Sequence, residues 1–298
     1  MTVSYMDDEM NDTINIKGRL VDLSEPQVMG IVNVTPDSFY ADSRRQTEAG
    51  IAERVNQIVG EGGTMIDVGG CSTRPGSEAV TEAEEMARLR FALDVVRREL
   101  PYAIVSVDTF RPDVARMAVE EFGADIINDV GTPSTLHPSP SSLHETPFTK
   151  HPSPMLRMVA KLGVPYILMS AKPTLHSVLL DFAERVQLLR DLGQKDIILD
   201  PGFGFGKTVD MKPTNYEVLA GIEKLQVLGL PILVGLSRKS MVYKLLGTTP
   251  DDALNGTTVL HTIALMKGAS ILRVHDVRAA VECCRLVKRV YSLVTIKK

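Results

Sequence analysis

A chain of 298 residues has room for one large α/β domain or two small ones, and its 44% apolar and 23% charged content sets aside disorder, collagen and coiled coil. The longest apolar run, Val227 to Leu236, is broken by Gly229, Pro231 and Gly235 and falls short of the roughly 18 residues of a membrane span. A formal net charge of −4 gives no general attraction to nucleic acid, so the expected partners are small molecules, with no membrane and no nucleic acid among them.

Residues 1–13 are acidic and polar, without the basic and apolar regions of a secretory signal, and read as a flexible start to a cytoplasmic protein. Cys71, Cys283 and Cys284 form no CxxC pattern, which suits a reducing compartment. Ile14 to Leu23 alternates around Lys17-Gly18 as a short hairpin. From Val28 onward short β-branched runs alternate with amphipathic stretches: Val28–Val34, Met65–Val68, Ala103–Val107, Asp125–Ile127, Val164–Met169, Asp196–Leu199, Pro231–Val234 and Ser270–Val274. Thr81 before Glu82, Glu84 and Glu85 marks one helix start, with Leu89, Leu93 and Val96 on its apolar face. Eight strand–helix units in one chain predict an α/β fold, a single (β/α)8 barrel over residues 14–298 behind a short N-terminal β-hairpin. A doubly wound open sheet is the alternative. Thr132 to Pro154, with Pro at six positions and His at 137, 144 and 151, reads as a flexible insertion after the fourth strand. A metal reading of the three histidines is the weaker one, because Pro138 and Pro152 prevent a helix from aligning them.

In such a barrel the chemistry sits just past the C-terminal ends of the strands. Those positions hold Asn33, the run Gly69 to Arg74, Asp108, Asn128, Met169, Asp200, Ser237-Arg238-Lys239-Ser240 and Arg273-Val274-His275-Asp276. Asp200 follows Ile197-Ile198-Leu199, so its carboxylate lies at a desolvated rim and needs a partner, either a neighbouring Lys or N–H or a ligand. Together with Asp108 and Asn128 it supplies acceptors and an amide fork suited to a flat nitrogen-rich heterocycle. Arg273 and His275, two apart, leave one face and can meet a phosphate or diphosphate; the alternative is a structural Arg273 paired with Asp276 or another carboxylate. Asn33 can add an oxygen ligand for Mg²⁺. Ser237 to Ser240 precedes the helical run Met241–Leu246 and can face an anion, or Ser237 can simply cap that helix. Gly202 to Thr208 is not a phosphate loop, since Pro201 stands where the pattern needs Gly.

Taken in order, Met29–Phe39 (MGIVNVTPDSF), Ser72–Gly76 (STRPG), Asp200–Thr208 (DPGFGFGKT), Gly235–Ser240 (GLSRKS) and Arg273–Asp276 (RVHD) resemble the dihydropteroate synthases of folate biosynthesis, over roughly Ile14 to Val290. The resemblance implies a pterin-binding TIM-barrel transferase that joins 4-aminobenzoate to 6-hydroxymethyl-7,8-dihydropterin diphosphate, giving 7,8-dihydropteroate and diphosphate with Mg²⁺ in a cytoplasmic homodimer. By motif it implies that Asp108, Asn128, Met169, Asp200, Phe205 and Lys239 line the pterin pocket. Asn33, Arg273 and His275 would hold diphosphate, Asn33 also the metal; Phe39, Thr73, Arg74, Pro75 and Ser240 would receive aminobenzoate or a sulfonamide that mimics it. Lys239, Arg273, His275 and Asn33 are the implied catalytic set. The chain departs from the family at residues 40–44, which lack Ser-Asp-Gly-Gly, at Cys71, and after the fifth barrel strand, where only Met169 of Met-His-Met-x-Gly-x-Pro remains. A methyltetrahydrofolate-type methyltransferase barrel shares the carboxylate and amide positions but has neither aminobenzoate nor diphosphate to hold. The altered residues 170–175 motivate a second alternative, a catalytically silent pterin-binding paralogue.

Overall fold

The computed structural model describes residues 13–34, 44–71, 80–131, 152–205 and 214–295. Two short strands, β1 (Thr13–Ile16) and β2 (Arg19–Asp22), pair antiparallel across Lys17-Gly18. Eight parallel strands follow: β3 (Gln27–Asn33), β4 (Met65–Gly69), β5 (Ile104–Asp108), β6 (Ile126–Asp129), β7 (Tyr166–Met169), β8 (Ile197–Asp200), β9 (Leu233–Val234) and β10 (Ile271–Val274). Their order is β8-β7-β6-β5-β4-β3-β10-β9. The ring closes between β8 and the start of β9, where Leu199 bridges Ile232 and its N–H donates to the Pro231 carbonyl at 2.8 Å. This is a (β/α)8 barrel, and the open sheet is excluded. The observed strands fall within about two residues of the expected ones; β9 starts two residues late because Pro231 has no N–H to give to a ladder.

Helices α1 (Arg44–Gly60), α2 (Glu82–Glu99), α3 (Pro112–Phe122), α4 (Pro154–Leu162), α5 (Leu175–Asp191), α6 (Thr214–Ala220), α7 (Ser240–Leu245), α8 (Leu254–Met266) and α9 (Val277–Thr295) return the chain along the outside, with a 3-10 segment at Ile222–Leu228. Thr81 caps α2 through a reciprocal box with Glu84, as the sequence pattern required. Ser153 caps α4 and Pro154 takes its first turn, so these residues belong to the helix rather than to the end of a flexible insertion. Residues 132–151, like 1–12, lie outside the described residues.

Strand alternation divides the core in two. One face of each strand packs outward on the helices, with Tyr166, Phe182 and Phe203 among the fully buried side chains. The inner faces stack Met29, Met65, Ile126, Ile167, Ile198, Leu233 and Ile271 across the barrel, and Ile14, Ile16 and Leu23 of the hairpin plug this layer from below. The hairpin is held there by Lys17, which pairs with Asp125 at 2.6 Å, and by the Asn15 N–H, which donates to Asp196 Oδ1 at 2.8 Å. With the bottom closed by apolar side chains, only the C-terminal mouth can admit a polar ligand.

Candidate active site

Two residues beyond that apolar floor, the same inward face carries Asp67, Asn128, Met169, Asp200 and Arg273, and Ser106 stands in register with Asp67. Parallel pairing brings Asn33 beside Gly69, Gly69 beside Asp108, and Asp108 beside Asn128. Arg273 crosses the barrel: its Nε donates to Asp67 Oδ2 at 2.6 Å and its Nη2 to Asp108 Oδ2 at 2.8 Å. Asn128 Nδ2 donates to the same Asp67 oxygen at 3.1 Å. Burial pushes the Asp108 carboxyl up to about 8, against the pull of Arg273 and with the help of Asp67. Burial also opposes the charge on Arg273, but the two carboxyl groups outweigh it and hold the guanidinium protonated. Asp67 Oδ1 and Asn128 Oδ1 are buried acceptors with no hydrogen-bond partner among the described residues. An unpaired buried acceptor is costly, so this layer is built for a ligand that donates hydrogen bonds.

The rim is completed from β8 and the turn before α7. Asp200 Oδ1 accepts the Gly202 N–H at 2.8 Å, in a turn that only glycine permits: Gly202 has φ 64°, and a Cβ there would stand 2.3 Å from the Ser170 carbonyl oxygen. Lys239 Nζ donates to the Phe203 carbonyl and lies 4.4 Å from the centre of the Phe205 ring. Ser237 does not cap α7. Its Oγ accepts the His275 N–H at 3.2 Å, and the cap position belongs to Lys239. Arg238 adopts φ 52° and is fixed there by two 2.8 Å bonds to Asp276 and by the Thr257 hydroxyl, which accepts its N–H at 3.0 Å. Asp276 is therefore the partner of Arg238, while Arg273 takes Asp67 and Asp108.

His275 faces a separate cleft of about 390 Å³ beside the mouth, lined also by Asn33, Thr47 and Arg54. The structure thus brings together Asp108, Asn128, Met169, Asp200 and Arg273 within the barrel, sets Lys239 and Phe205 at its rim, and places Asn33 and His275 on the cleft. Ser240 opens α7 at the same end. Phe39, Thr73, Arg74, Pro75 and Asp42 lie outside the described residues.

Asp67 was missed by sequence reading, although an acid inside the otherwise apolar Met65–Val68 is a visible signal. Arg54 gives no such signal, since a charged residue on a surface helix is ordinary. Glu85, fully buried, pairs with Arg111, which also donates to the Val80 carbonyl; Arg88 donates to the Gly70 carbonyl at 3.2 Å. These residues fix the chain on either side of 72–79.

Asn33 offers one amide oxygen to a divalent cation. Its side-chain oxygen faces Gly69, where an added Cβ would lie 3.6 Å from Asn33 Oδ1 and 3.6 Å from Asp108 Cβ, so the missing side chain leaves room at that oxygen. No group of three His, Cys, Asp or Glu side chains capable of holding a metal occurs among the described residues. A single amide oxygen suits Mg²⁺, which keeps waters and takes substrate phosphate oxygens.

Comparison with known proteins agrees with the geometry. The pterin binding enzyme family matches residues 29–275. The chain is 37% identical over 291 residues to a dihydropteroate synthase of Escherichia coli, covering 93% of this chain and 95% of the relative. It is 35% identical over 272 residues to one of Streptococcus pyogenes, covering 88% and 94%. A solved Xanthomonas albilineans dihydropteroate synthase with 4-aminobenzoic acid superimposes with a TM-score of 0.78 at 35% identity, covering 94% of this chain and 98% of that one. A Yersinia pestis dihydropteroate synthase in complex with a sulfonamide drug gives 0.78 at 34% identity, covering 94% and 99%.

Proposed function

The chain belongs to the pterin-binding family of dihydropteroate synthases, and from its site we infer how it condenses 4-aminobenzoate with 6-hydroxymethyl-7,8-dihydropterin diphosphate to give 7,8-dihydropteroate and diphosphate. The observation that carries this reading is the acceptor-rich layer on the barrel floor. A reduced pterin presents ring N–H groups and an exocyclic amine, and the unpaired oxygens of Asp67 and Asn128, with Asp108 and Asp200, are acceptors for them. Met169 and Phe205 supply apolar contact, and Lys239 borders the ring. A methyltransferase has no use for the anion-binding residues that surround this pocket.

The reaction forms a bond between the arylamine nitrogen and the pterin methylene carbon, breaks the C–O bond to diphosphate, and releases the amine proton. The arylamine is neutral and nucleophilic near pH 7, so no dedicated general base is required. C–O cleavage is the difficult step. The electron-rich pterin, held by its hydrogen bonds in a pocket closed from below, spreads the positive charge left on the methylene and keeps water from capturing it. Asn33, Arg273 and His275 hold the departing diphosphate, and cleavage runs ahead of bond formation. Asn33 would hold Mg²⁺ together with the phosphate oxygens, and the cation when bound supplies charge stabilisation to the leaving group. Thr73, Arg74, Pro75, Phe39 and Ser240 receive aminobenzoate, and sulfonamides compete there.

The protein acts in the cytoplasm as a homodimer in this reading. Supporting the first, none of its three cysteines forms a disulfide and no described helix is long and apolar enough to cross a membrane. Supporting the second, α8 and α9 bound an apolar groove of about 710 Å³ with Leu254, Met266, Leu286, Val290 and Tyr291 exposed along it. Purified protein given both substrates should release diphosphate and form dihydropteroate in equal amounts. Diphosphate release that ignores 4-aminobenzoate would mean hydrolysis of the pterin diphosphate rather than transfer, and no turnover with intact pterin binding would favour the silent paralogue.

A further inference from the structure

The turn between β9 and α7 runs Leu236-Ser237-Arg238-Lys239 and is closed by the Lys239 N–H, which donates to the Leu236 carbonyl at 3.3 Å. Arg238 is its third residue, with φ 52°, a conformation that glycine adopts freely and that a residue with a Cβ resists. What holds it there is its own side chain. Nε and Nη2 form a bidentate pair with Asp276 at 2.8 Å each, and Nη1 donates to the carbonyls of Pro250 at 2.9 Å and Asp251 at 2.6 Å. The guanidinium thus ties the turn to the residue before α9 and to the segment that leads into α8. The turn decides where the next residue stands. Lys239 takes the cap position of α7, its Nζ donates to the Phe203 carbonyl, and it lies 4.4 Å from the centre of the Phe205 ring. A Cβ on Gly204 would come within 3.1 Å of Lys239 Cδ, so the lysine stem reaches Phe203 and Phe205 through a gap that the missing side chain leaves.

We propose that Arg238 is a positioning residue for the condensation: its pair with Asp276 holds the turn at positive φ and thereby directs Lys239 onto the pterin pocket. It gives no group of its own to either substrate. The inference rests on the dihydropteroate synthase reading for the identity of the ligands. Without the pair, the turn relaxes to negative φ and substrate has to select the minor, competent form. For a residue with a Cβ, positive φ lowers the population of that form about five- to thirtyfold, and apparent affinity falls by the same factor. Such a loss appears in KM rather than in kcat, because saturating substrate restores the competent turn. A protein that is merely less stable loses active enzyme and keeps its KM.

The test compares Arg238→Ala with Arg238→Gly in the full chain. Both delete the ion pair and both keep the backbone N–H that the Thr257 hydroxyl accepts, but only glycine takes positive φ without a penalty. Calorimetry with the diphosphate-free 6-hydroxymethyl-7,8-dihydropterin should show Arg238→Ala weakened about five- to thirtyfold and Arg238→Gly within about threefold of wild type. The KM for the pterin diphosphate should follow the same order, with kcat within about threefold of wild type in both variants. Equal losses in the two variants, a wild-type KM in Arg238→Ala, or a loss confined to kcat would each overturn the proposal. If Arg238→Ala does not fold, Asp276→Asn takes its place, exchanging the bidentate carboxylate for a single amide oxygen. It should raise KM at least about threefold, and adding Arg238→Gly should bring KM back. A KM that never rises, or that stays raised in the double variant, overturns the proposal. Failure of the functional reading has a different signature, a wild-type chain that does not bind the pterin alcohol.

Discussion

At the scale of single residues, the site depends on carboxyl groups that burial makes unstable on their own. Asp200→Ala should abolish measurable pterin binding, because the ligand's donors would then be desolvated without an acceptor; calorimetry that returns wild-type affinity would remove Asp200 from the pocket. Asp67 has a larger structural share. Replacing it with Ala leaves Arg273 and Asn128 without their common partner, and loss of one member of a buried pair costs about 3–5 kcal/mol in urea unfolding. A third residue, outside the carboxylate layer, contributes to the response to acid. His261 on α8 is buried with no hydrogen-bond partner for Nε2 among the described residues, and burial, opposed by Asp276, pushes its imidazole down to about 4 from 6.5. Between those values the unfolded chain binds a proton that the folded one refuses. This contribution is therefore neutral above about pH 6.5 and destabilises progressively as pH falls to about 4, with a full amplitude on the order of 3 kcal/mol. His261→Leu should flatten that part of the stability–pH curve; a slope unchanged from wild type would show that the imidazole does not titrate as described.

At the scale of elements, side chains that tie several backbone ends together do more than isolated surface pairs. Arg97 in the last turn of α2 donates to the carbonyls of Phe122 at 3.0 Å and Ala103 at 2.8 Å, and reaches Asp125 at 2.9 Å. It thereby joins the ends of α2 and α3 to the starts of β5 and β6. Asp125 also anchors the hairpin through Lys17, so Arg97→Met leaves a buried carboxylate with only Lys17 and the Val105 N–H, and the expected loss is roughly 2–4 kcal/mol with near-normal kinetics. A loss of activity without a loss of stability would contradict a structural role. The strand and helix pattern was legible because each element advertises its period: β-branched runs for the strands, Leu89, Leu93 and Val96 for α2, a capping box at Thr81. Ion pairs across elements were not. Arg238 with Asp276 is separated by 38 positions and Arg273 with Asp67 by 206, and nothing local to either residue selects its partner. Sequence spacing therefore put Arg273 and His275 on one face, whereas the carboxylates of β4 and β5 draw Arg273 into the barrel and leave His275 on the cleft.

At the scale of the whole molecule, the barrel separates its surfaces by direction. Strands run toward the mouth and the outer helices run back, so the first turns of α9 lie near the site and its later turns approach the hairpin-plugged end. Leu286 and Val290 sit in those later turns, 68% and 58% exposed, on the groove shared with α8. Two apolar side chains four apart present one continuous stripe, and burying that stripe against its copy in a second chain removes apolar surface that water would otherwise cover. Because this face is remote from the carboxylate layer, association and ligand binding should be separable. In the proposed homodimer, the double variant Leu286→Glu, Val290→Glu would place four like charges across the two-fold contact, and sedimentation should show its dissociation constant raised at least about a hundredfold over wild type. Its affinity for the pterin alcohol should remain within about threefold of wild type. Wild-type protein that sediments as a monomer at micromolar concentration would refute the dimer, and a double variant that stays dimeric would move the interface elsewhere; a monomeric variant that also loses pterin affinity would mean that the barrel mouth is shaped by the partner chain.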